Sequence, residues 1–232
     1  MKKTLLLVAL MMLIMMTTSC QKPEEITISK YFQAMKAKDR DTMASMAAEP
    51  MSLEFKSWKM ISSEEPTSED LILQQLITSM NELKTKKDKQ IGVVKDKKDV
   101  LDIMKTKLGE TRGGRQKAEL QKQIEVAEQE VALETQNYKQ AQADYTQMKN
   151  QVEIEKKMVT MSTSIEQNQE LMTGKAITTQ SHIRITTASG DKDYVFLLRK
   201  YDLINPLTNK VSPNRFIILK IQPKEDFDQG KQ

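Results

Sequence analysis

The sequence contains very few of the residues that usually build metal, redox or nucleophilic sites. Its 232 residues include one cysteine and one histidine. A single cysteine excludes an intramolecular disulfide, and one histidine with one cysteine does not supply the ligands of a zinc site. No nucleophile stands out beside a base and an orienting acid, so the sequence predicts no enzyme, no metal and no cofactor.

Aromatic residues, glycine and proline are also scarce, whereas charged residues are abundant. Aromatic residues make up 5% and charged residues 29% of the chain, with seven glycines and six prolines. This composition is typical of a long solvated helical segment beside smaller packed elements. The formal net charge of +4 is small and does not favour nucleic acid as a partner.

The N-terminus carries the pattern of an export signal. Basic residues at Lys2 and Lys3 precede an apolar run from Leu5 to Met16, and small residues lead to Cys20. The run is short for a transmembrane helix, which needs roughly 20 residues. We therefore predict a signal peptide over residues 1–19, with an uncleaved anchor helix as the alternative.

The segment Thr18-Ser19-Cys20 resembles the lipobox of bacterial lipoproteins. The resemblance implies that Cys20 is lipidated with fatty acyl chains such as palmitate and that residues 20–23 tether the chain to a membrane. Two or three acyl chains anchor a protein stably, because each buried CH₂ contributes about 0.8 kcal/mol. In such proteins an Asp just after the cysteine commonly retains the protein at the inner membrane. Gln21 therefore favours the outer membrane, facing the periplasm, within the cell envelope.

Two mostly apolar series with steps of three and four residues occupy the middle of the chain; we call their positions the seam. The first is Leu73, Leu76, Met80, Leu83, Lys87, Gln90, Val94, Lys97, Leu101, Met104 and Leu108, and the second is Leu120, Ile124, Ala127, Val131, Glu134, Tyr138, Ala141, Tyr145, Met148, Val152, Glu155 and Val159. The glycine-containing segment 109–114 separates them. The pattern predicts an antiparallel coiled-coil helical hairpin over residues 67–173. Cap-type residues at 66–70 predict its start, and its return helix is expected to reach about Leu171, before Gly174.

Polar residues interrupt the seam at Lys87, Gln90, Lys97, Glu134 and Glu155. One interpretation is a partner site within the seam. The other is register control, because polar seam residues specify one alignment at some cost in stability.

The predicted turn of the hairpin is basic. Its candidate interaction tip is formed by Lys105, Lys107, Arg112, Arg115 and Lys117, with Lys122 close by and only Glu110 and Glu119 as acids. A cationic tip is suited to anionic lipid, a cell-wall polymer or an acidic protein. The alternative interpretation is a solvated helix face without a partner.

The flanking segments together predict one small α+β domain that the hairpin interrupts. Residues 24–66 contain two short helices up to residue 48 and a strand at 51–61, and residues 174–223 contain strands at 176–187, 193–203 and 215–221. The strands need a covering layer, which the two helices provide. Residues 224–232 are expected to form a flexible tail.

The run from Tyr31 to Asp39 and the strands at 194–201 and 215–218 resemble small bacterial lipoproteins with an NTF2-like (SnoaL/cystatin-like) fold. The resemblance implies a helix-on-sheet domain with a concave face. Candidate pocket residues on that face are Tyr31, Phe55, Trp58, Tyr194 and Phe196. The alternative is that these side chains form the hydrophobic core.

Three functions fit these features. The first is a non-enzymatic, lipid-anchored envelope protein that presents a helical hairpin to another protein or to an envelope polymer. The second is a small-ligand binder or enzyme built on the NTF2-like face, an analogy of fold alone. The third is a relative of pump adaptors, although only one strand precedes the hairpin. His182, the sole histidine, is expected to be exposed on its strand and not to be catalytic.

Overall fold

In the computed structural model the described part of the chain is residues 22–229. The signal segment, Cys20 and Gln21 lie outside it. The helices are α1 (Pro23–Ala37), α2 (Arg40–Met46), α3 (Leu73–Glu110), α4 (Gly114–Thr163) and α5 (Lys224–Gln229), and the strands are β1 (Ser57–Ser63), β2 (Thr67–Asp70), β3 (Thr173–Thr187), β4 (Gly190–Asn205), β5 (Lys210–Val211) and β6 (Ile217–Pro223). A mixed α+β class is thereby confirmed.

The chain forms two compact units. Among the described residues, one comprises 22–71 together with 158–229, and the other is Ile72–Lys157. Helix α4 therefore contributes most of its length to the second unit and its last residues to the first.

The first unit contains one antiparallel sheet built around the long pair β3 and β4. The two strands pair from Thr173 with Ile204 to Thr187 with Gly190. A two-residue turn connects them, and the Thr187 hydroxyl donates to the Gly190 carbonyl at 2.9 Å. Strands β1 and β2 pair with the other edge of β3, whereas β6 and β5 pair with the other edge of β4.

Helices α1 and α2 cover one face of this sheet. Alternate residues of β3 and β4, such as Ile183 and Phe196, are fully buried there with Ile28 and Phe32 of α1. Asp39 caps α2 by accepting from the Thr42 backbone N–H at 3.0 Å. The two helices and the sheet therefore share one hydrophobic core, which holds the helices on the sheet as expected.

The strand expected at 51–61 begins later, at Ser57. The backbone of Met51 is bonded to the Tyr31 side chain instead of to a neighbouring strand: its N–H donates to the hydroxyl at 2.8 Å, and its carbonyl accepts from the same hydroxyl at 2.9 Å. Strand pairing starts only where the Lys56 N–H donates to the Thr186 carbonyl at 2.8 Å.

The hairpin boundaries also differ from the expectation. Residues Thr67–Asp70, expected to start a helix, form edge strand β2 against Thr178–Lys175 of β3. Helix α4 ends at Thr163 and not near Leu171, because Ser164 adopts a left-handed conformation (φ 61°) and its N–H donates to the Thr160 carbonyl at 2.7 Å. Gly174 belongs to β3 and does not end a helix.

The C-terminal segment 224–232, expected to be a flexible tail, is helical from Lys224 to Gln229, and residues 230–232 lie outside the described residues. Acidic residues Glu225 and Asp226 lie in the first turn of this helix, where they interact favourably with its N-terminal dipole.

Candidate functional site

The seam positions of α3 and α4 are withdrawn from solvent along both helices. Every seam residue is buried or half-buried, including Val94 and Leu101 on α3 and Ile124 and Ala141 on α4. Most of the residues between seam positions are exposed. One narrow stripe of each helix is therefore withdrawn from solvent, and the remaining surface of these 38- and 50-residue helices is open.

Side-chain pairs connect α3 and α4 in antiparallel order. Lys105 Nζ lies 2.7 Å from Glu128 Oε1, and Lys97 Nζ lies 2.6 Å from Glu130 Oε2. Further from the turn, Gln90 Nε2 donates to Glu134 Oε2 at 2.5 Å. Residue numbers rise along α3 as they fall along α4, which is the order that an antiparallel pair requires.

Four of the five polar seam residues therefore have partners on the opposite helix. Gln90 and Glu134 bond to each other, and Lys87 Nζ lies 4.7 Å from the ring centroid of Tyr145. Lys97 bonds to Glu130, which raises the pKa of the Lys97 ammonium above its usual value through the hydrogen bond and the carboxylate charge. These contacts favour register control for Lys87, Gln90, Lys97 and Glu134; Glu155 is buried.

Four of the five candidate tip residues lie at the turn. Arg112 is in the turn, Arg115 and Lys117 lie in the first turns of α4, and Lys107 lies in the last turn of α3; all four are exposed. Lys105 is different, because it lies within α3 and is paired with Glu128 of α4. The exposed positive charge at the turn is therefore concentrated on Lys107, Arg112, Arg115 and Lys117.

A groove of about 660 Å³ lies between α3 and α4 in the half of the helix pair that is closer to the turn, and we call it the turn groove. Its apolar residues include Val93, Val100 and Met104 from α3 and Val126 and Ala127 from α4. Its charged residues are Asp96, Lys97, Glu119, Lys122 and Glu130. Val100 is 47% exposed and Val126 is 56% exposed, so the apolar lining is accessible to solvent.

The sequence analysis missed the turn groove because it considered only the seam. In heptad notation the seam holds positions a and d. Val93 and Val100 occupy position g, and Ile103, Val126 and Leu133 occupy position c. Positions d, g and c are neighbours around a helix, so apolar residues at g and c widen the seam toward one side. A count of apolar residues at these positions is the signal that would have found it.

The five candidate pocket residues lie in or beside the core of the first unit. Tyr31 and Phe196 are fully buried, with ring centroids 6.5 Å apart. Phe32, which the sequence analysis did not select, joins the others: its ring stacks on Trp58 at 4.9 Å and meets Phe55 edge-on at 5.0 Å. These are the contacts of a hydrophobic core. A ligand on this face would have to displace Tyr31 or Phe196 from it.

The two tyrosines of this set, Tyr31 and Tyr194, each lie next to polar groups. Burial raises the pKa of the Tyr31 hydroxyl, a rise that the hydrogen bond with Met51 partly offsets. Tyr194 is mostly buried but also lines a polar surface pocket of about 610 Å³ with Arg184, Asp193 and Lys224.

His182 is less exposed than expected, since 21% of its side-chain surface is accessible. Its Nε2 lies 3.6 Å from Glu64 Oε1, and it stands in β3 opposite Val195 of β4. Two residues further along β3, Arg184 makes two hydrogen bonds to Asp193 of β4, at 2.8 and 2.9 Å. The Arg184 guanidinium holds the pKa of the Asp193 carboxyl below its usual range.

Within residues 22–229, no group of three or more His, Cys, Asp or Glu side chains is arranged to hold a metal ion. Across the same described residues, none of the helices combines the length and the hydrophobicity needed to cross a membrane. No family model, curated protein or solved structure matches this chain.

Proposed function

We propose that this chain is a non-enzymatic, lipid-anchored protein of the cell envelope that presents α3 and α4 to another envelope component. In this proposal Cys20 carries the lipid, the outer membrane is the anchoring surface, and the α+β unit is an NTF2-like domain. The partner is a protein or an envelope polymer that recognises the basic turn.

The observation that carries the proposal is the open surface of a long helix pair. Helices that only stabilise a domain bury a broad face, whereas α3 and α4 withdraw little more than the seam. The exposed basic side chains of Lys107, Arg112, Arg115 and Lys117 lie at the turn that connects α3 to α4. Such a cluster attracts anionic partners at long range and orients their approach.

We further propose that α3 and α4 form an antiparallel coiled coil. Burial at alternating steps of three and four residues supports this, as do the cross-helix pairs Lys105–Glu128, Lys97–Glu130 and Gln90–Glu134. At about 1.5 Å per residue, a 38-residue helix extends roughly 57 Å. A coiled coil of that length is rigid enough to hold a contact site at a fixed distance from its base.

The anchor is tested separately from the partner. In the proposal, Cys20→Ala removes the acylation site, so the chain leaves the membrane fraction and its N-terminal peptide carries no lipid mass. Mass spectrometry of the mature N-terminus of the unaltered chain is expected to show acylated Cys20. A mature N-terminus without acyl chains would reject the anchor.

The partner is tested by photocrosslinking in cells from position 112, with the photoreactive residue in place of Arg112. Arg112 is exposed, and replacing it leaves three neighbouring cations in place. A control probe at Gln142 is exposed on α4 away from the turn. The proposal expects a discrete crosslinked envelope component from position 112 and none from position 142.

Charge variants test whether the basic turn itself is recognised. The triple change of Arg112, Arg115 and Lys117 to glutamine is expected to abolish association with that component. The same loss of three charges at Lys84, Lys86 and Lys89, all exposed on α3, serves as the control and is expected to leave it intact. Equal effects of the two triple variants would mean that only overall charge matters, and the proposed site would be rejected.

A further inference from the structure

We propose that the turn groove binds a second copy of this chain, so that two α3–α4 pairs associate side by side as a four-helix bundle near their turns. This inference rests on the proposed function, because it names one partner of the same helix pair. Its grounds are the width of the apolar stripe, its concentration in the turn-proximal half and the charges on its rim.

The apolar stripe is wider than two helices need. A two-stranded coiled coil requires apolar residues at positions a and d, whereas helices of a bundle also carry them at a flanking position. Val93 and Val100 at position g, with Ile103, Val126 and Leu133 at position c, supply that second contact face. Ile103 is 68% exposed and Leu133 is 57% exposed. These apolar side chains remain exposed to solvent in one helix pair, and a neighbouring helix would bury them.

The widening is local. Among the described residues of α3 between Leu73 and Gln90, no large hydrophobic side chain is exposed. On α4 the same holds from Glu134 to Glu153. The exposed apolar residues at g and c therefore cluster beside the turn, with Ile154 near the far end of α4 as the exception, as expected of a defined contact surface.

The rim charges favour a copy of the same surface. Helix α3 contributes Asp96 and Lys97 to the groove, and α4 contributes Glu119, Lys122 and Glu130. Lys97 and Glu130 are already paired within one chain, which leaves Asp96, Glu119 and Lys122 for a partner. In a two-fold interface the same patch meets itself, so a rim of one sign would repel its copy, whereas here Lys122 of each copy can pair with Asp96 or Glu119 of the other.

The interface is small, so its strength depends on the membrane. Stable interfaces typically bury about 800 Å² on each partner, and a contact confined to the turn-proximal half of the helices is at the low end. Tethering both copies to one membrane by the proposed lipid raises their effective concentration. Association is therefore expected in the membrane at copy densities where a free chain would be largely monomeric.

The test uses two differently tagged copies of the full chain expressed together in their own membrane. One copy carries a photoreactive residue in place of Val126, and a control version carries it in place of Ile154. Both positions are position c of a heptad, with 56% and 55% exposure, but only Val126 lines the turn groove. The expected result is a product of twice the chain mass that contains both tags from position 126 and not from position 154.

A second variant pair tests the contact without moving the probe. Val100→Lys adds a charge inside the groove and is expected to lower the two-tag product from position 126 at least tenfold. Ile91→Lys is the matched control, since Ile91 is 49% exposed on the opposite side of α3 at position e. Unchanged far-UV circular dichroism of both variants shows that the helices persist.

The outcomes separate this inference from the proposed function. A product from position 126 that contains only a different protein overturns the second copy as the occupant and leaves the proposed function standing. No product from position 126, together with a partner crosslinked from position 112, has the same meaning. No product from either position overturns both. A product that Val100→Lys and Ile91→Lys reduce equally also overturns the assignment to the groove.

Discussion

Gly174 provides the sharpest stability test in the first unit. It is the second residue of β3, has φ +144°, and pairs with Leu203 of β4. A Cβ at this position would lie 2.0 Å from the Asp202 carbonyl oxygen and 3.0 Å from the Leu203 Cα. Both atoms belong to the backbone of a central strand, so they cannot rotate away as a side chain would.

Gly174→Ala is therefore expected to be strongly destabilising. An alanine in this backbone region costs about 1–3 kcal/mol, and forcing two strands apart adds a cost like that of overpacking, about 1–3 kcal/mol. The sum, about 2–6 kcal/mol, is a large part of the 5–15 kcal/mol that typically stabilises a domain.

Two other glycines separate the contributions. Gly190 has φ +117° but nothing within 4 Å of its would-be Cβ, so Gly190→Ala carries only the backbone cost, about 1–3 kcal/mol. Gly92 lies inside α3 with open space around it, and Gly92→Ala is expected to stabilise the helix by up to about 1 kcal/mol. The expected order of stability is Gly92→Ala, the unaltered chain, Gly190→Ala and then Gly174→Ala.

The assay is urea unfolding followed by two signals. Trp58 is the only tryptophan and stacks on Phe32, so its fluorescence reports on the α+β unit. Far-UV circular dichroism is dominated by α3 and α4. If Gly174→Ala lowers the fluorescence midpoint no more than Gly190→Ala, the close approach of β3 and β4 at this position carries no cost and the reasoning is refuted.

Three further variants test single interactions. Ser162→Ala removes a buried hydroxyl that donates to the Arg215 carbonyl, just before β6, at 2.8 Å and accepts from the Tyr201 N–H of β4 at 3.1 Å; a loss of about 1–3 kcal/mol by tryptophan fluorescence is expected, and an unchanged midpoint would contradict it. Asp193→Asn removes the partner of Arg184. Because the pKa of Asp193 is lowered in the folded chain, the stability difference between the unaltered chain and this variant should be constant above about pH 5 and shrink as the pH falls through and below 4; a pH-independent difference would contradict the pairing. Changing Gln90 and Glu134 together to leucine is expected to raise the thermal midpoint of the helix signal, whereas a lower midpoint would show that this polar pair is itself stabilising.

The seam could be read from the sequence because it depends on a local period. Steps of three and four residues select one stripe of a helix whatever lies elsewhere in the chain. The turn near Arg112 follows from the interruption of that period beside glycines. The central strands β3 and β4 were likewise predictable, since both alternate and are joined by a short turn.

The elements that sequence reasoning missed depend on distant residues. Thr67–Asp70 looks like a helix start because threonine, serine and aspartate are good caps, yet these residues also tolerate an exposed edge strand. Their pairing partner is Thr178 and its neighbours, more than a hundred positions along the chain. No local pattern contains that information. The pairing of Lys105 with Glu128 was hidden for the same reason, because it requires the relative register of two helices.

That register also determines whether the turn groove exists. Val100 and Val126 line one groove only when α3 and α4 are aligned as they are. A slip by one heptad would shift the helices by roughly 10 Å and separate the two valines. The bonded pair Gln90–Glu134 opposes such a slip, because a shifted alignment would break this hydrogen bond and place the Gln90 amide opposite Ala127 or Ala141 of the seam. The double leucine variant removes this restraint. It should therefore gain helix stability while losing two-tag crosslinking from position 126, which would show that the polar pair is retained for alignment and not for stability.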